Sequence, residues 1–190
     1  MQETIILAVI GGVVILYLIS VYNRLVTVKH NVDEAWSNID VLLKQRYEEL
    51  PKLVDTCKRY MAYESETLTE ITRLRNEADA ARRQGDAAGL GVIEGGLAAA
   101  VGGLLARAEA YPDLKGAEAF QQLMARISVL EESIADRREF FNEAVNINNI
   151  RREQFPDLIV ARLFGFEARA LLKIAEQETQ NLDVRQLFAS

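Results

Sequence analysis

The chain has one cysteine and one histidine in 190 residues. A lone cysteine excludes a disulfide framework, and with a lone histidine it excludes a His/Cys-rich metal site. Cys57 falls on an apolar helical face, where a free thiol behaves as a small hydrophobe rather than a redox centre. A positive surplus is also missing. The net charge of −6 argues against a nucleic-acid backbone as partner. Only Pro51, Pro112 and Pro156 interrupt helical phasing, and no stretch alternates with period two. The expected fold class is therefore all-α.

Charge is absent altogether from residues 4–23. Twenty helical residues reach about 30 Å, the thickness of a bilayer core. The run is expected to span a membrane from Ile5 to Tyr22, with Tyr17 and Tyr22 as interfacial aromatics near one end. The leader is acidic at Glu3 and no A-x-A-like cleavage site follows, so the span reads as a retained anchor. Arg24 and Lys29 lie just beyond it. The positive-inside bias then places the N-terminus outside and the remaining domain in the cytoplasm. Ala8 and Gly12 give one small-xxx-small spacing, too common to assign a role.

Beyond the span, Val28, Val32, Ala35, Ile39, Leu42, Arg46, Leu50, Leu53, Cys57, Tyr60 and Glu64 recur by threes and fours. That is one face of a long helix seeking partners. The register stutters between Leu42 and Leu53, and Pro51 sits at the stutter. Its missing N–H predicts a kink, or a break between two helices. Apart from that point, nothing up to about Gln84 halts the helix, and an unbroken one is expected. Seven of the eleven glycines fall between positions 85 and 103; residues 85–91 read as a connection or a weakly held helix end, and the stretch from Ile93 to Ala110 is Ala- and Leu-rich. Gly91, Gly95, Ala98, Ala99 and Gly102 there could line a close-packed seam; the alternative is a poorly ordered helix packed elsewhere.

Phe120, Leu123, Ile127, Leu130, Ile134, Arg137, Phe141, Ala144, Asn148 and Phe155 give the cleanest heptads, predicting a helix over about residues 114–155. Pro156 ends it. The short apolar segment of Leu158, Ile159, Leu163 and Phe164 is expected to contact a neighbouring subunit or the membrane face. A further helix is predicted over residues 167–180. The domain reading is an anchor at 1–23, a bundle at 24–166 and a C-terminal helical tail at 167–190.

Several words in this order, Val32-Asp33-Glu34-Ala35-Trp36, Arg46-Tyr47, Leu50-Pro51, Tyr111-Pro112-Asp113-Leu114-Lys115 and Arg137-Arg138-Glu139-Phe140-Phe141-Asn142, resemble the LemA family of bacterial membrane proteins. The resemblance covers most of residues 22–166. Lys52, the glycine-rich stretch and the tail depart from the family pattern. It implies an N-terminal transmembrane helix continuing into a long, antiparallel, coiled-coil-like bundle in the bacterial inner membrane. It further implies a link with membrane organisation, since a relative in magnetotactic bacteria is associated with building magnetosome membranes.

Chemistry-bearing residues are few. Arg46, Arg137 and Asn148 lie on apolar faces, and a buried ion must be paired to avoid several kcal/mol of cost, of order 3–5. Asp40, Glu34 and Glu143 are available partners. These polar residues are read as a register-setting network, against the alternative that both arginines snorkel at the bundle edge. Trp36 reads as a packing residue. Asp33, Glu34 and Asp40 lack a histidine or a second carboxylate cluster, so they read as a solvated face. There is no nucleophile–base set, P-loop or dinucleotide fingerprint, so no catalysis and no cofactor are expected. The helix lengths and broad seams suit a homo-oligomeric scaffold whose partners are the bilayer and copies of itself. The runner-up is an adaptor for other membrane proteins, such as membrane proteases.

Overall fold

The structure is a computed structural model that describes residues 1–61 and 64–174. Six helices follow in order: α1 (Gln2–Lys58), α2 (Ser65–Gln84), α3 (Ala87–Ala108), α4 (Pro112–Lys115), α5 (Glu118–Glu153) and α6 (Asp157–Leu163). No strand occurs among the described residues. The chain divides into two compact units. One holds Met1–Ser37 with Glu139–Leu171; the other holds Asn38–Arg138 with residues 172–174. Helices α1 and α5 contribute to both.

In the second unit the three-and-four spacing buries Ile39, Leu43, Leu50, Leu53 and Cys57 on α1. Contacts between helices run in opposite directions along the chain. Arg46 of α1 pairs with Glu131 of α5 at 2.8 Å, and three residues on, Glu49 meets Arg126 at 3.9 Å. Helices α2 and α3 form a hairpin. Gly85 ends α2 with φ +69, a conformation that favours glycine, and the Asp86 carboxylate caps α3 by accepting from the Gly89 N–H at 2.9 Å. At the far end of the hairpin, Arg107 meets Glu64 at 3.3 Å and also bonds Thr67.

Of the kink or break expected at Pro51, the break does not occur: α1 runs through it, with Leu50, Leu53 and Val54 buried on either side. The long helix nevertheless does not continue to Gln84. It ends at Lys58, where the Tyr60 and Met61 N–H groups both donate to the Cys57 carbonyl, at 3.0 and 2.8 Å. Cys57 and Met61 are fully buried, so packing rather than glycine or proline makes this turn. Of the connection or helix end expected before Gly91, the structure has the end of a helix. Ala87 already opens α3, a regular helix that buries Leu90, Leu97 and Leu104.

The first unit is built on the start of α1 and the end of α5. By length and composition α1 and α3 could each cross a membrane, but 6% of the apolar window of α1 is buried against 33% for α3. Every large apolar side chain from Ile5 to Ile19 is exposed, and burial begins at Val21 and Leu25. Phe141 of α5 is buried, with its ring 5.4 Å from that of Trp36.

After α6, Gly165 adopts φ +68 and the helix predicted over residues 167–180 does not form within its described part. Residues 166–174 have no regular structure; the remainder of that prediction, and of the predicted helical tail, lies outside the described residues. The reason is side-chain capture. Asn149 donates to the Arg169 carbonyl and accepts from the Arg169 N–H, both at 2.9 Å, while Arg152 donates to the Phe166 carbonyl at 3.1 Å. These bonds occupy backbone groups that a helix would use itself.

Candidate functional site

A buried ionic cluster lies in the second unit. Arg46 is 3% exposed on α1, and Glu94 is 2% exposed on α3. One Glu94 oxygen accepts from the Arg46 guanidinium and the other from the Tyr47 hydroxyl. Glu131 of α5, half-exposed, takes the other end of the guanidinium at 2.8 Å. The Arg46 guanidinium carbon also sits 5.4 Å from the centroid of the Tyr47 ring. Three helices thus meet at one cation.

The electrostatics hold this cluster in one charge state around neutral pH. Burial works against the charge on Arg46, but Glu94 and Glu131 outweigh it and hold its pKa above the ordinary value. Burial, and then the Glu94 carboxylate, push the Tyr47 hydroxyl well above the usual tyrosine range. Neither group releases a proton near neutral pH, so neither suits general acid–base work. What the cluster can do is fix the register of α1, α3 and α5, since any slip strands a buried charge.

The sequence identified Arg46 but not its partners. Asp40, one of the expected carboxylates, pairs instead with Arg82 at 2.6 Å. Glu94 was missed because it sits in the glycine-rich stretch. One signal marked it: it is the sole charged residue between Asp86 and Arg107. Arg137 is exposed, at the edge of a stripe whose buried positions step from Ile134 to Phe141. Asn148, in the first unit, is buried beside Asn149, with an Nδ2–Oδ1 distance of 3.3 Å. Phe155 is 81% exposed because α5 has already ended at Glu153 and its heptads with it.

A second feature belongs to the first unit. Val160 and Ala161 of α6 are buried in one cluster with Val21 and Leu25 of α1, and Phe166 packs on it. The Tyr22 ring meets Phe164 and Phe166 edge-on, at 4.9 and 5.8 Å. Asp157, at the start of α6, is buried with Arg24 and Arg151 each 3.8 Å away. Of the expected assembly residues, Leu158 is half-buried, while Ile159, Leu163 and Phe164 are exposed. Asp33 pairs with Arg169 at 3.2 Å. Among the described residues, no group of three or more His, Cys, Asp or Glu side chains could hold a metal.

Comparison with known proteins follows the same outline. The LemA family model matches residues 35–185. Magnetosome protein MamQ 1 of Paramagnetospirillum magneticum is 25% identical over 169 residues, covering 77% of this chain and 62% of the relative. Magnetosome protein MamQ of Magnetospirillum gryphiswaldense is 24% identical over the same length, with the same coverage. The chain thus spans about 62% of the length of these relatives. Protein LemA of Metamycoplasma hominis is 26% identical over 165 residues, covering 87% of this chain and 74% of the relative.

Proposed function

The chain belongs to the LemA family, and from that premise we propose that it is a membrane-anchored, self-assembling helical scaffold involved in membrane organisation, without catalytic activity. The observation that carries this reading is the continuity of α1. Its exposed apolar run passes into buried positions at Val21 and Leu25 with no linker between them. A bilayer would cover the exposed run, and the first unit would then be held rigidly at the membrane. On α5, Ile147 and Ile150 are exposed at helical spacing on one face, as expected of a surface covered by another copy. Two of the relatives are named for the magnetosome, which favours membrane organisation as the process. Arg24 and Lys29, following the span, favour a cytoplasmic domain and an external N-terminus in a bacterial inner membrane.

The runner-up is an adaptor for other membrane proteins. Particle mass separates the two readings. Solubilised in mild detergent, the scaffold elutes as one large homogeneous species containing only this chain. A small species, or one carrying a stoichiometric second protein, would establish the adaptor instead.

A further inference from the structure

We infer that α6 lies in the headgroup region of the leaflet from which α1 emerges, with Ile159, Leu163 and Phe164 turned towards the acyl chains; the inference rests on reading α1 as a membrane span. Its depth is set by packing. Val160 and Ala161 are buried against Val21 and Leu25, immediately beyond the exposed run that ends at Ile19. Asp157, buried between Arg24 and Arg151, holds the start of α6 at the same level.

The opposite side of α6 is left bare. Ile159 and Leu163 lie one turn apart on one face, 55% and 77% exposed, while Phe164, one turn after the buried Val160, is 58% exposed at the flank towards Tyr22. The patch adjoins Tyr22, whose ring touches Phe164, and Tyr22 in turn continues the exposed apolar surface of α1. An apolar patch continuous with a lipid-facing surface takes the same solvent. Its polar margin fits as well. The partly exposed Arg24 and Arg151 and the exposed Arg162 sit where anionic headgroups would meet them. Tyrosine belongs at that depth. Together these features give a short amphipathic element lying in the membrane plane at the foot of the anchor.

The test uses the full chain in vesicles of phosphatidylcholine and phosphatidylglycerol, with Cys57→Ala removing the native thiol. Spin labels are placed singly through Leu163→Cys, Ile159→Cys, Val14→Cys within the span and Lys44→Cys on an exposed part of α1. Collision with oxygen, which concentrates in lipid, is compared with collision with a water-soluble nickel chelate. Labels at 163 and 159 are expected to follow the one at 14, protected from nickel and open to oxygen, while 44 shows the reverse. A label at 163 that follows 44, with 14 still in lipid, overturns the inference and leaves the anchor intact. Shielding of 163 from both reagents overturns it in favour of a contact with a second copy. Nickel access at 14 defeats the membrane reading itself, and this inference with it.

Discussion

The Nε of Arg75 on α2 donates to the backbone carbonyl of Tyr47 on α1 at 2.9 Å. Tyr47 is four residues before Pro51, so its carbonyl is the one that proline deprives of a helical partner. A side chain 28 residues away replaces the lost bond, and α1 passes through proline unbroken.

That relationship predicts a coupled pair. Arg75→Ala should destabilise the chain by about 1–2 kcal/mol, because the carbonyl loses its donor. In a Pro51→Ala background the alanine N–H serves the same carbonyl, and the penalty should fall below about half of that. The measurement is a double-mutant cycle by urea unfolding in detergent. Equal penalties in both backgrounds would show that Arg75 acts through something other than this bond.

The buried cluster predicts asymmetry between single and double substitutions. Glu94→Leu leaves a buried guanidinium half-paired and the Tyr47 hydroxyl without its acceptor, at a cost of about 3–5 kcal/mol. Adding Arg46→Met removes the stranded charge and should recover much of the loss. If the double variant is as unstable as the sum of the two singles, the pairing is not what stabilises these helices.

Burial pushes the Cys57 thiol up to about 11 from a usual value near 9. The folded chain therefore keeps its proton in a range where the unfolded chain has lost it. This contribution to stability is whole below about pH 9 and is lost as pH rises towards 11, amounting to about 2–3 kcal/mol at the top. The Tyr47 hydroxyl titrates high as well, so the informative quantity is the difference between the parent chain and Cys57→Ala. That difference should shift against the parent between pH 9 and 11. A constant difference across the window would mean that Cys57 is not desolvated.

What the sequence made legible was local. The spacing that marked Ile39, Leu53, Ile134 and Phe141 as core needed only the helical period, and all four are buried. The exposed apolar run from Ile5 to Ile19 was readable from an absence of charge. Features set by distant partners were not readable. Glu94 reaches Arg46 across 48 residues, and Arg75 reaches Tyr47 across 28. Asn149 and Arg152 hold residues 166–169 out of a helix that local propensity favoured. The turn after Lys58 has neither glycine nor proline to announce it. Each of these depends on which helix lies beside which, and a period within one helix carries no such information.

The last prediction uses the chain's one tryptophan as a reporter. Phe141 is 3% exposed, and its ring centroid lies 5.4 Å from that of Trp36 at an interplanar angle of 57°. Phe141→Ala should cost about 3–5 kcal/mol, from lost transfer energy and the cavity left beside the indole. Water or lipid then reaches a ring that Phe141 had covered, so Trp36 emission should change in the folded state as well. Ile150→Ala serves as the control, because Ile150, on the same helix, is 54% exposed. It should shift the unfolding midpoint far less and leave the emission unaltered. If the two substitutions prove equally mild, and Trp36 emission ignores both, the α1–α5 packing in the first unit is not as described.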